Sequence, residues 1–150
     1  MKFEFLTNGN INSYIKYLKK ALVEDPDQMW VDSINEKEII NRVNNPFYQN
    51  TKSILAMIDG KVIGRIEYHF YGCIQDGFKM AYVDWIYVLK EHRNKGVAKA
   101  LFREFENDCR NNDIKQYFLI RATNEFANHF YNSFKEAKIS DEPMLRKDIK

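Results

Sequence analysis

Arg93, Asn94, Lys95, Gly96, Val97 and Ala98 combine two cations, a glycine and two small apolar residues in one short stretch. They lie where the β-rich run "YVDWIYVL" gives way to the helical pattern "AKALFREFE". The first N–H groups of a helix have no partner within it, and its N-terminus carries partial positive charge. A phosphate is held at such a point by main-chain donors, with Arg93 and Lys95 adding charge. Gly96 and Ala98 leave room for the anion to approach the main chain. Neither G-x-x-x-x-G-K-[ST] nor G-x-G-x-x-G occurs, which excludes a Walker loop and a dinucleotide fingerprint.

The second group of interest is acidic. Asp84 interrupts an apolar run, flanked by Val83, Trp85, Ile86 and Tyr87. A buried, unpaired carboxylate is costly and shifts its pKa upward. A catalytic base or an anchor for an amine would account for it, as would an ion pair with Arg65 or exposure at a bulge. Glu67 lies with Arg65, His69 and Tyr71 on the polar alternation of the preceding run, and either reaches the same cleft or faces solvent. The segment "VEDPDQMWVD" is acidic, with a single tryptophan, Trp30. His69, His92 and His129 have no ligand spacing, so no metal is expected. Cys73 and Cys109 suggest neither a zinc site nor an activated nucleophile.

Around these residues the pattern reads as α/β, or α+β. "KFEFL" is a short strand, and Ile11, Tyr14, Ile15, Leu18 and Leu22 mark a helix to about Val23. Ser33 with Glu36 fits a capping box opening a second helix, with Ile39, Ile40 and Val43 on its apolar face. "SILAMIDGKVIGRIEYHFY" predicts a hairpin about Asp59-Gly60. Residues 80–89 form the next strand, and Val97, Leu101, Phe102, Phe105 and Cys109 the buried face of a helix. "QYFLIRA", residues 116–122, is a further strand, parallel to 80–89 because a helical crossover joins them. "NEFANHFYNSF" predicts a short helix with Phe126, Ala127, Phe130 and Phe134 inward, and a last strand follows Pro143.

With 150 residues and 45% hydrophobic content, the chain predicts one domain, residues 1–150. A formal net charge of +2 gives no footprint for a nucleic-acid partner. No run has the length of a membrane span and no signal-peptide pattern opens the chain, so the expected location is cytoplasmic. A homodimer remains open.

"RNKGVA" matches the [QR]-x-x-G-x-[GA] pyrophosphate loop of the GNAT family of N-acetyltransferases. "IYV" precedes it at that family's spacing, and "NEFANHFY" resembles its N-x-x-A-x-x-[FL]-Y segment. The stretch "AMIDGKVIG…YVDWIYVLKEHRNKGVAKAL" resembles the aminoglycoside 6'-N-acetyltransferase branch. Lys90 stands where the family usually carries proline, and Lys135-Glu136 where glycine–phenylalanine is usual.

The resemblance implies a mixed, mostly antiparallel sheet with helices on both faces, and acetyl-CoA as co-substrate. It implies that the Ile86 N–H faces the thioester oxygen and that Val88 pairs with the pantetheine arm. Residues Arg93, Asn94, Lys95, Gly96, Val97, Ala98 and Lys99 would hold the pyrophosphate. Asn124 would touch the cofactor, or simply cap a helix, and Tyr131 would protonate the thiolate, or simply pack. Asp84, Glu67 and Trp30 would meet a small cationic amine, Asp84 also serving as base. The expected reaction is acetyl transfer to a primary amine of a polyamine or aminoglycoside-like acceptor by direct attack in a ternary complex. Acetylation of a protein or peptide amine, or CoA binding without turnover, are the alternatives.

Overall fold

The computed structural model describes residues 1–122 and 124–149. The chain divides into two compact units, Met1–Leu119 and Ile120–Lys150.

In the first unit a five-stranded sheet has the order β1-β2-β3-β4-β5. Its strands are β1 (Lys2–Phe5), β2 (Thr51–Ile58), β3 (Lys61–Gly72), β4 (Lys79–Val88) and β5 (Gln116–Leu119). The first three pairings are antiparallel, and β4 pairs β5 in parallel. The predicted hairpin is present. Asp59 and Gly60 take φ of 48° and 74°, closing a two-residue turn between Ile58 and Lys61.

Helices α1 (Ile11–Glu24) and α2 (Glu36–Val43) precede the hairpin, and α3 (Val97–Asn111) crosses from β4 to β5. On β3 the side chains alternate between two faces. Arg65 meets Tyr14 of α1, so the face of Arg65, Glu67, His69 and Tyr71 is the α1 side. Tyr68 packs on Phe105 at 4.6 Å, so Ile66, Tyr68 and Phe70 face α3. Helices thus cover both faces. The predicted α3 stripe of Val97, Leu101, Phe102, Phe105 and Cys109 is buried in full.

Gly64 sets how closely these layers approach. A Cβ there would lie 3.1 Å from Val88 Cγ2 and 3.2 Å from the Tyr87 carbonyl. The missing side chain lets the end of β4 and the start of α3 meet over β3.

Some expected boundaries move. Asn35, not Ser33, caps α2, its side chain accepting from the Glu38 N–H; glutamates 36 and 38 then sit in the positive first turn. The strand predicted over 116–122 stops at Leu119. In the second unit α4 (Glu125–Tyr131) forms as expected, but Phe126 is 84% exposed and not part of a buried stripe. No strand follows Pro143 among the described residues. No helix among them is long and apolar enough to cross a membrane.

Candidate active site

The main-chain geometry of β4 follows from one bond. Leu89 N–H donates to the Ile63 carbonyl at 2.9 Å. An antiparallel ladder alternates, so Tyr87 and Trp85, opposite Arg65 and Glu67, also turn their main-chain polar groups toward β3. Ile86 and Val88 therefore turn theirs to the other edge. There β5 pairs with β4 only as far as Val83↔Leu119, so from Asp84 onward this edge has no strand partner among the described residues. The Ile86 N–H and Val88 N–H point into that gap.

The chain then makes a 3₁₀ turn, Lys90–His92, and reaches α3 through two left-handed residues, Asn94 (φ 59°) and Gly96 (φ 77°). Gly96 occupies the N-cap without a side-chain cap bond, and a Cβ there would meet nothing within 4 Å. Glycine is required by the backbone angle and not by crowding. The first helical bond runs from Ala100 N–H to the Gly96 carbonyl, so the Val97, Ala98 and Lys99 amides precede the ladder. Space over the cap and donors beneath it are the features a diphosphate needs.

The cations of the loop have other contacts. Arg93 donates from Nε to the Val88 carbonyl at 2.9 Å and from its guanidinium to Asp25 at 2.7 Å, and it stacks on Tyr87. Lys95 Nζ donates to the Glu91 carbonyl at 2.8 Å. Lys90 supplies what the more usual proline cannot. Its N–H donates to Glu24 at 2.9 Å, and its Nζ reaches Asp25 at 2.7 Å. Burial pushes the Asp25 carboxyl up, but hydrogen bonds from Lys90, Arg93 and Tyr87 outweigh it and hold the group at about 2. The end of α1 is thereby tied to the loop that opens α3. The sequence offers Asp25, with Asp27 and Trp30, either as an attraction for a cationic amine or as part of a solvated acidic loop; the structure instead sets Asp25 against Arg93 and Lys90.

Of the readings left open for Asp84, the structure has exposure at a bulge and not burial. The register passes from Glu67↔Trp85 to Tyr68↔Val83, leaving Asp84 as the extra residue of a β-bulge. Its side chain is 48% exposed, with His69 Nε2 at 3.9 Å. The bulge turns it out of the apolar alternation and toward solvent. Arg65, one candidate partner for it, pairs instead with Glu67 at 2.8 Å and donates to Tyr14 OH at 2.8 Å. Arg65 stays cationic despite its burial, because Tyr14 and Glu67 favour its charge. Its Nε is buried without a partner. Glu67 also accepts from Ser53 Oγ at 2.8 Å, so it is neutralised in place and not a solvent-facing charge. Trp30 is 80% exposed between α1 and α2.

An open groove of about 610 Å³ between α1 and the β2–β3 turn is lined by Lys16, Lys20, Lys61 and Glu91, and none of the predicted site residues borders it. Burial pushes the Cys109 thiol up to about 12, aided by Asp108 and Glu106, which makes it a poor nucleophile.

In the second unit Asn124 caps α4, its side chain accepting from Ala127 N–H at 2.9 Å. Tyr131 packs with Phe130 and Phe134, and its pKa is raised by burial.

A five-stranded mixed sheet, a bulged fourth strand and an uncapped, glycine-led helix define an acetyltransferase fold. The chain belongs to the GNAT acetyltransferase family, whose model matches residues 15–135, and it is an acetyltransferase. Solved structures share the fold over almost the whole chain. An aminoglycoside acetyltransferase, meta-AAC0020, from an uncultured soil metagenomic sample in complex with trehalose is 18% identical, with a TM-score of 0.81 covering 99% of this chain and 96% of that one. A ribosomal-protein-alanine N-acetyltransferase from Brucella melitensis biovar Abortus 2308 is 17% identical, with a TM-score of 0.76 over 97% and 99%. An acetyltransferase of Trypanosoma brucei is 14% identical, with a TM-score of 0.74 over 99% of each chain. No curated protein matches the sequence.

Proposed function

We propose that residues 1–150 act as one acetyltransferase domain that moves an acetyl group from acetyl-CoA to a primary amine of a small cationic acceptor. One observation carries the reading. The outward N–H groups of Ile86 and Val88 lie along the strand that leads to the unpaired amides opening α3. An extended arm added along β4 would end where a diphosphate meets Val97, Ala98 and Lys99. Asn94 and Gly96 shape that cradle, and Arg93, Lys95 and Lys99 supply charge around it.

Acetyl-CoA supplies the activated acyl thioester. The Ile86 N–H donates to the thioester oxygen as negative charge grows there. Asp84 draws in the cationic amine, which loses one proton to solvent to become the neutral nucleophile, and accepts the second as the C–N bond forms. A C–N bond forms as the C–S bond breaks. Tyr131 then gives its phenolic proton to the departing sulfur, with Asn124 assigned to the cofactor. Tyr131, like any tyrosine, holds a proton to give at neutral pH, and the burial that raises its pKa makes it the weaker acid until the thiolate forms beside it. The raised Cys109 thiol favours direct attack over a covalent acyl-enzyme. Trp30 is assigned to the acceptor. Glu67, already paired with Arg65, holds the α1 face in shape and contributes to acceptor binding only through the field of that pair.

The aminoglycoside acetyltransferase neighbour, also solved with sisomicin, supports a small amine acceptor. The Brucella neighbour, named for a ribosomal-protein alanine, makes a peptide N-terminus the second acceptor to try. The test is thiol release from acetyl-CoA over a panel of small amines and peptides, beside calorimetry with CoA. Asp84→Asn and Tyr131→Phe are each expected to lose about a hundredfold in rate, typical of a lost acid or base, with CoA affinity unchanged. CoA binding with background release for every amine and peptide would leave a CoA sensor in place of an enzyme of this kind.

A further inference from the structure

The proton that Asp84 accepts during transfer has to leave it before the next turnover. A carboxylate open to water ordinarily keeps a proton only below about pH 4. Alone it is a weak base at neutral pH. Backed by an imidazole, which takes up protons in the neutral range, a carboxylate passes the proton on as it arrives, and the pair is the stronger base. The register shows which groups of the α1 face stand near enough to serve. Thr51, His69 and Tyr82 form one row across β2, β3 and β4, and Ser53, Glu67 and Trp85 form the next. Glu67 is already held by Arg65 and Ser53. Tyr82, and Tyr71 further along β3, bring phenol rings, which carry no basic nitrogen.

His69 has the basic nitrogen and is held on three sides. Its Nε2 lies 3.9 Å from Asp84 Oδ2, and its Nδ1 lies 3.2 Å from Thr51 Oγ1. Its ring lies nearly parallel to that of Tyr82, at 16° with 6.4 Å between centroids. The Thr51 hydroxyl accepts from an Nδ1–H and donates to a bare Nδ1, so it suits the ring in either tautomer and when protonated. With Nδ1–H on Thr51, Nε2 turns a lone pair toward Asp84. One bridging water, or a turn of the exposed Asp84 side chain, closes the remaining gap. The His69 side chain is 36% exposed, so water reaches it. A plain surface ion pair needs no hydroxyl on the far nitrogen; a proton carrier does.

We infer that His69, oriented by Thr51, acts through Asp84 as a proton relay, taking from it the proton released by the attacking amine and handing it to water. This rests on the acetyl-transfer reading above and deepens it. As the C–N bond forms, an N–H bond of the amine breaks and an O–H bond forms on Asp84. That O–H bond breaks as an N–H bond forms at His69 Nε2. Water then takes the proton, and both residues return to their starting states. Below the histidine range the ring is already protonated and the relay is closed; above it the relay is open.

The experiment measures kcat of the full chain across the histidine range at saturating acetyl-CoA, with sisomicin, putrescine and alanylglycine, and follows whichever is acetylated fastest. Ionisation of the amine acts alike on wild type and variant, so the ratio of their kcat values isolates His69. For His69→Gln that ratio is expected to rise from about one at about pH 5 to about ten at about pH 8, less than the loss expected for Asp84 itself. Asp84→Asn combined with His69→Gln is expected to be no slower than Asp84→Asn alone, because a relay carries nothing once its source is gone. Thr51→Val is expected to lose part of the same pH-dependent advantage, and Thr51→Ser to keep it. Should His69→Gln fail to fold, His69→Asn and Thr51→Val carry the comparison. A ratio that stays flat with pH, or losses that multiply in the double variant, overturns the relay while acetyl transfer stands. Background release by the wild type with all three amines overturns both.

Discussion

The loop that opens α3 and the carboxylates of β3 and β4 use opposite kinds of chemistry. At the loop the main chain presents the donors: the amides of Val97, Ala98 and Lys99, and the outward N–H groups of Ile86 and Val88. On the α1 face side chains act, and each depends on what its neighbours leave free. Glu67 is taken by Arg65 and Ser53, and Asp84 is released by a bulge. Main-chain donors are fixed by backbone angles, which glycine and strand parity set locally. Side-chain charges are fixed by contacts between elements distant in sequence. A substitution should therefore damage the two regions in different ways.

The largest expected effect separates structure from binding on the α1 face. Arg65→Leu leaves the half-buried Glu67 carboxylate and the Tyr14 hydroxyl without their common partner. Breaking one side of such a pair costs about 3 kcal/mol. Urea denaturation should show that loss, and adding Glu67→Leu should recover part of it. A Glu67→Leu single variant as stable as the wild type would mean that the pair is not structural, and would return Glu67 to the list of direct acceptor anchors.

The same contrast governs what was legible in the sequence. The loop was readable because "RNKGVA" states its own geometry: a glycine at the cap, small residues after it, cations before it. The order of strands and helices was readable from period, and the α3 stripe was recovered residue by residue. Burial, an ion pair with Arg65 and exposure at a bulge all stayed open for Asp84, because apolar neighbours give no sign of a bulge that shifts the alternation by one residue; the register has the bulge. Arg65 was offered to Asp84 because sequence does not state register; the β3–β4 pairing instead sets Glu67 opposite Trp85. The cap of α2 moved to Asn35 because two good capping residues stand close together, and local pattern does not choose between them. The exposed Phe126 and the missing strand after Pro143 belong to a segment where apolar residues recur without a strong period.

At the loop, Gly96→Val tests the backbone alone. The position has open space for a side chain but a φ of 77° that a β-branched residue resists. The strain of about 1–2 kcal/mol corresponds to roughly a tenfold loss of CoA affinity if the loop relaxes to relieve it. Calorimetry with CoA reads this directly. Unchanged affinity would show that the amides of α3 hold their geometry without the left-handed cap.

The smallest expected effect lies where the two kinds of chemistry meet, at Asp25. Its carboxylate engages Arg93 and Lys90, so part of the loop's positive charge is spent on α1. Asp25→Asn should release Arg93 toward a diphosphate and tighten CoA by about threefold, the scale of one partly exposed ion pair. The same variant has a pH signature. The folded-state pKa of about 2 lies below the ordinary carboxylate value, so the contribution of Asp25 to stability is complete above about pH 4. It is lost as pH falls through about 2. Urea midpoints taken from pH 4 down to pH 2 should fall more steeply for the wild type than for Asp25→Asn. Parallel curves would place the stabilising charge elsewhere. Weaker CoA binding by the variant would mean that Asp25 holds Arg93 in position for the diphosphate and does not compete with it.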